Sequence, residues 1–104
     1  IALHPNLEIS QIKEFLAYID MIIIMTVVPG FGGQKFLKNQ INKISELKKI
    51  REENQFKFEI EIDGGINNEN SKICIKNGAD ILVAGSYIYD SDKENYQKLI
   101  NSLR

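Results

Sequence analysis

Asp63 is the residue whose type and neighbours most favour chemistry. It closes an alternating run, Phe58-Glu59-Ile60-Glu61-Ile62-Asp63, and Gly64-Gly65 follow at once. A period of two places Glu59, Glu61 and Asp63 on one face of a strand and Phe58, Ile60 and Ile62 on the other. If the apolar face packs against helices, the carboxylates point inward. Glu59 and Glu61 would then lie deep and need partners from other strands, and Asp63 would reach the open end where a substrate sits. A carboxylate at that position is a candidate acid or base. The alternative is an edge strand with solvated carboxylates, and alternation alone does not separate the two.

Glycines gather at similar places. Six of the seven fall in Gly30-Phe31-Gly32-Gly33, Gly64-Gly65 and Gly85-Ser86, each directly after an expected strand. Without a Cβ, a backbone can turn freely and bring its amides close to an anion, so these clusters could cradle a phosphate. A short helix starting at Ser86 or Tyr87 would add its own amides. Each cluster could also serve only a tight turn.

Other residues carry less. His4, the single histidine, sits beside a proline in a turn and reads as structural. Met25, near a strand end, reads as core or as a polarizable wall of the site. No metal site can be completed from this chain alone, because a catalytic metal usually takes three or more protein ligands and there is no second histidine or thiolate cluster. Lys43, Lys48, Lys49 and Arg51 read as a solvated helix face, and the lone Cys74 as a core thiol. Phe31, Tyr87 and Tyr89 are too scattered to form a base-stacking platform.

The elements that must position these residues repeat a pattern. Ile1 to Leu3 reads as a strand end, and after His4-Pro5-Asn6 the apolar residues Leu7, Ile12, Phe15, Leu16 and Ile19 follow at near-helical spacing. Met21 to Val28 is an apolar run suited to a parallel strand covered on both faces, ended by Pro29-Gly30. Phe36, Leu37, Ile41, Ile44, Leu47 and Ile50 mark an amphipathic helix ending near Asn54. The strand ending at Asp63 leads to a helix capped by Asn67 or Asn68 and stopped at Asn77-Gly78. Ile81 to Ala84 is a fourth strand, and Tyr96, Leu99, Ile100 and Leu103 line a last helix.

Alternating strands and helices call for a parallel sheet with right-handed crossovers, as in a (β/α) barrel. A closed barrel takes eight such units over about 200 to 250 residues, so the 104 residues here read as a half-barrel of four units forming one domain, residues 1–104. The start at Ile1, without an initiator Met, reads as a cut within a longer chain. A flavodoxin-like open sheet is the other fold compatible with the pattern. The formal net charge of -1, from 13 basic and 14 acidic residues, offers no broad footprint for nucleic acid or an anionic membrane. The longest apolar run is too short to span a bilayer, and one unpaired cysteine fits a reducing cytoplasm.

Met25-Thr26-Val27-Val28-Pro29-Gly30-Phe31-Gly32-Gly33-Gln34-Lys35-Phe36 resembles the signature of the ribulose-phosphate 3-epimerases. Glu61-Ile62-Asp63-Gly64-Gly65-Ile66 is similar to that family's next strand end. Gly78-Ala79-Asp80 through Val83-Ala84-Gly85-Ser86 is similar to its last, and Ile1-Ala2-Leu3-His4-Pro5-Asn6 to its fifth. The resemblance covers the whole chain and implies the C-terminal half of a TIM barrel, strands five to eight. It implies an isomerase of the pentose phosphate pathway that interconverts D-ribulose 5-phosphate and D-xylulose 5-phosphate by moving the C3 proton between faces. Two aspartates do this in the family, with one divalent metal (zinc, iron, manganese or cobalt) stabilising a cis-enediolate.

By the same resemblance Asp63 matches the second aspartate, both acid/base and metal ligand, and the first aspartate and two metal-binding histidines lie on strands this chain lacks. Gly30, Phe31, Gly32, Gly33, Gly64, Gly65, Gly85 and Ser86 would contact the substrate or its phosphate, and Met25 would line the site. The chain departs from the family pattern at Val28 and Tyr87. That leaves room for an allulose 6-phosphate 3-epimerase, and a non-catalytic phosphate-binding half-barrel is a different class of reading. A sugar phosphate is the expected partner, with no nucleic acid or membrane, in a protein compatible with a homo-oligomer. A half-barrel alone should show no epimerase activity.

Overall fold

In a computed structural model of the chain, residues 1–27, 36–83 and 101 are described. Among the described residues four strands form one sheet: β1 (Ala2–Leu3), β2 (Met21–Met25), β3 (Glu59–Asp63) and β4 (Ile81–Val83). Their spatial order is their chain order, β1-β2-β3-β4, and every neighbouring pair is parallel. Two α-helices, α1 (Ile41–Asn54) and α2 (Asn68–Asn77), connect β2 to β3 and β3 to β4. Crossovers of one hand between strands laid down in sequence put their helices on the same side of the sheet. The fold is therefore α/β with a parallel sheet, the arrangement of consecutive units in a (β/α) barrel. β3 lies inside the sheet, with β2 on one side and β4 on the other, so the edge-strand reading of its carboxylates does not hold.

Alternation along the strands sorts the two faces. Ile22 and Ile24 of β2 and Ile60 and Ile62 of β3 are fully buried, and they form one core with Ile9, Leu16, Ile44, Leu47, Phe58 and Cys74. Each fully buried isoleucine contributes about 1.5 to 3 kcal/mol relative to exposure. The opposite face holds Met21, Ile23 and Met25 of β2, all half-buried, and Glu59, Glu61 and Asp63 of β3, of which Glu59 is exposed. Cys74 is buried as expected, and burial pushes its thiol up to about 11, which leaves it protonated and unreactive near neutral pH.

The C-terminal end of α1 and both ends of α2 match the sequence reading, but Phe36 and Leu37, expected on the face of the first helix, lie before α1, with Leu37 in an extended conformation. A single 3-10 turn, Lys38–Gln40, precedes α1, and the helix ends where Gln55 adopts φ 58° and ψ 35°. Asn67 caps α2, its side-chain oxygen accepting from the Glu69 and Asn70 amides at 3.0 Å each. Asn70 answers by accepting from the Asn67 amide at 2.8 Å. After β1 the chain departs from expectation, since two 3-10 helices, Ile9–Gln11 and Lys13–Tyr18, replace the α-helix implied by the apolar spacing. Bonds from Ile12 N–H to Ile9 O at 3.0 Å and from Phe15 N–H to Ile12 O at 2.9 Å show the tighter winding. A 3-10 path rises about 2.0 Å per residue against about 1.5 Å in an α-helix, which suits a connection this short that must still bury Ile9 and Leu16.

The Lys-rich face of α1 also differs from expectation. Lys43 is 7% exposed, and its ammonium donates to Pro5 O at 2.8 Å and Leu7 O at 2.6 Å. Gln40 Nε2 reaches the same Pro5 O at 3.3 Å, so the start of α1 holds the turn that leaves β1. Arg51 is equally committed, donating to Phe58 O at 2.9 Å and to Asp80 Oδ2 at 2.7 Å. Asp80 also accepts from the Ile60 amide at 2.8 Å, closing the N-terminal ends of β3 and β4 around one carboxylate. Of the four cations only Lys49 is exposed, in a 4.0 Å pairing with Glu53. Sequence periodicity did not separate these roles because a lysine stem covers apolar surface as readily as it reaches water. Val28, the last expected helix with Tyr96, Leu99, Ile100 and Leu103, and the residues Tyr87 and Tyr89 lie outside the described residues. Among the described residues no helix is long and apolar enough to cross a membrane.

Lys43→Met should lower unfolding stability by about 1 to 3 kcal/mol, because it strips donors from two carbonyls at a buried position. Lys49→Met should change it by less than about 0.5 kcal/mol. Denaturant unfolding of both variants in the full-length protein measures the contrast, and equal effects would contradict the clamp.

Candidate functional site

The C-terminal ends of β2, β3 and β4 are level. Met25 pairs with Asp63, and Asp63 with Val83, so three side chains of one face stand in a row across the sheet. Asp63 is half-buried at the centre of this row. Among the described residues its carboxylate has no hydrogen-bond or ion-pair partner. It stands on the face opposite α1 and α2, at the sheet end where α/β folds bind ligands. Glu61 lies two positions deeper on the same strand, level with Ile23 and Ile81.

The backbone beyond Asp63 is held by a residue that sequence reasoning did not single out. Thr26, the first residue after β2, is fully buried and uses three polar groups. Its amide donates to Asp63 O at 3.0 Å, and its hydroxyl donates to Gly64 O at 2.6 Å. Its carbonyl accepts from the Leu37 amide at 2.6 Å, which joins the chain on either side of residues 28–35. A hydroxyl inside the otherwise apolar run from Met21 to Val28 was the available signal. Its partner, 38 residues away, was not.

Gly64 and Gly65 follow with φ of +126° and +68°, conformations that side chains disfavour. A Cβ on Gly64 would come within 2.6 Å of Val27 Cγ2 and 3.0 Å of its amide nitrogen. One on Gly65 would stand 3.1 Å from the Phe36 backbone. Both glycines are therefore needed to let the end of β3 pass beneath Val27 and Phe36, quite apart from any ligand. Beside this turn a groove of about 380 Å³ runs past Phe36, Ile41, Gly65, Asn67 and Ile73.

The structure thus brings Asp63, Gly64, Gly65 and Met25 to one end of the sheet. Gly30, Phe31, Gly32, Gly33, Gly85 and Ser86 lie outside the described residues. His4 is exposed in the turn after β1, where its carbonyl accepts from the Leu7 amide at 2.9 Å. Among the described residues no group of three or more His, Cys, Asp or Glu side chains could hold a metal ion. Asp63 would be one oxygen donor to a divalent ion, with the remaining ligands from elsewhere.

Gly64→Ala should lower stability by about 1 to 3 kcal/mol, since it adds backbone strain and a collision with Val27. Thermal unfolding of the full-length protein is the check, and an unchanged midpoint would mean that the turn can relax.

Comparison with known proteins places the chain. Residues 1–89 match the model of the Ribulose-phosphate 3 epimerase family. Over 106 residues the chain is 40% identical to the ribulose-phosphate 3-epimerase of Bacillus subtilis, covering 100% of this chain and 48% of that protein. It is 38% identical to the chloroplastic ribulose-5-phosphate-3-epimerase of Arabidopsis thaliana, covering 100% of this chain and 36% of the relative. With the ribulose-phosphate 3-epimerase of Methanocaldococcus jannaschii the identity is 41% over 92 residues, 88% of this chain and 39% of the other. The chain spans less than half the length of these relatives. It belongs to the ribulose-phosphate 3-epimerase family.

Proposed function

We propose that this chain forms the last four βα units of a ribulose-phosphate 3-epimerase barrel and supplies one of its two proton-transferring carboxylates, Asp63. The observation that supports this most is the placement of Asp63 at the end of an interior strand, on the face opposite α1 and α2. The substrate reading comes from the names of the relatives, and the geometry is compatible with it.

In D-ribulose 5-phosphate the C3 hydrogen lies next to the C2 carbonyl, so its removal leaves a carbanion delocalised onto oxygen. Inverting C3 requires removal on one face and return on the other, and one fixed carboxylate reaches only one face. Asp63 takes or gives the proton on its own side, and a second group must stand opposite. Met25, level with Asp63 on the neighbouring strand, walls the reacting carbon from water. A divalent metal held partly by Asp63 would supply Lewis-acid polarisation of the substrate oxygens. The amides of Gly64 and Gly65 suit the phosphate, as donors that bring no Cβ between backbone and anion.

In the full-length enzyme Asp63→Asn should keep the fold and lower kcat by about 10² to 10⁴-fold, the usual share of a general acid or base. Steady-state epimerisation of ribulose 5-phosphate measures it. Turnover near that of the wild type would remove Asp63 from the reaction and favour a chain that only binds phosphate.

A further inference from the structure

We infer that Thr26 is a positioning residue whose hydroxyl aims the Gly65 amide at the anionic group of the substrate. The inference rests on the proposed function, because it takes the Gly64-Gly65 turn to face that group. Gly64 and Gly65 have φ of +126° and +68°, and glycine passes between many backbone conformations at little cost. A Gly-Gly turn does not fix its own central peptide plane. An external contact must do so.

Thr26 provides that contact. In a planar trans peptide the C=O and the following N–H point in opposite directions. The hydroxyl of Thr26 donates to Gly64 O at 2.6 Å, so the Gly65 N–H of the same peptide is turned away from Thr26. The preceding peptide is fixed in the same way, by the bond from the Thr26 amide to Asp63 O at 3.0 Å. That second bond is backbone to backbone and survives any side-chain change. The hydroxyl acts on the Gly64–Gly65 peptide alone. Thr26 is fully buried, so its hydroxyl cannot touch the substrate and works only through this peptide.

The consequence is a defect in anion binding separable from the chemistry at Asp63. In the full-length protein Thr26→Val keeps the side-chain shape and removes the donor. It should weaken inorganic phosphate, titrated calorimetrically, by about tenfold, the loss of one well-placed donor. KM for ribulose 5-phosphate should rise by a similar factor, with a smaller fall in kcat. Thr26→Ser keeps the hydroxyl and should return both values to within about twofold of wild type, even if its lost methyl lowers stability. If Thr26→Val does not fold, Thr26→Cys, with a much weaker donor, should show the same loss. Phosphate binding by Thr26→Val equal to wild type, or by Thr26→Ser as weak as by Thr26→Val, overturns the inference. A wild-type protein that binds phosphate but does not epimerise ribulose 5-phosphate contradicts the proposed function instead, and the phosphate titration still decides the role of Thr26.

Discussion

Parallel strands laid side by side in chain order must be joined by crossovers, and crossovers of one hand put the connecting segments on one side. That constraint governs this chain. It directs Ile22, Ile24, Ile60 and Ile62 toward the helices, where they are fully buried. It leaves the other face to Met21, Ile23, Met25, Glu59, Glu61 and Asp63. A period-two run with three carboxylates on one side requires water or polar partners on that face, because each unpaired buried carboxylate would cost several kcal/mol.

The two ends of the sheet are fastened by different chemistry. At the N-terminal end the Arg51 guanidinium and the Asp80 carboxylate collect Phe58 O and the Ile60 amide around a partly exposed ion pair. At the C-terminal end a neutral, fully buried hydroxyl joins β2 to the turn after β3. The charged fastening therefore stands away from the end where a sugar phosphate would bind. At that end Thr26 orders the backbone without placing a competing charge beside Asp63.

Much of this was legible in the sequence, for identifiable reasons. Alternation from Phe58 to Asp63 is local, so it separated the apolar face of β3 from its carboxylate face, and the strand order then removed the edge-strand reading. The Asn67 cap and the Asn77-Gly78 stop were legible because cap chemistry is read within a few residues. The hydroxyl of Thr26 could be seen there, but its acceptor depends on sheet register, which pairs Met25 with Asp63 only once the strands are assembled. Lys43 misled for a related reason, since its carbonyl partners, Pro5 and Leu7, belong to a turn 36 to 38 residues earlier. After β1 the apolar spacing found Leu16 but missed the buried Ile9 and included Phe15, which is exposed, and it was wrong about winding. Apolar residues at steps of three and four fit a 3-10 path as well as an α-helix when the segment is short.

Crystallography can show whether Asp63 acts on the carbon next to a carbonyl from the face of β3 opposite α1 and α2. The measurement is a crystal structure of the full-length enzyme with a non-reacting analogue of ribulose 5-phosphate bound. An Asp63 carboxylate oxygen should lie within about 3 to 3.5 Å of the third carbon, the spacing of groups poised to react. An analogue bound elsewhere on the sheet, or an Asp63 oxygen more than about 5 Å from that carbon, out of reach of proton transfer, would contradict it.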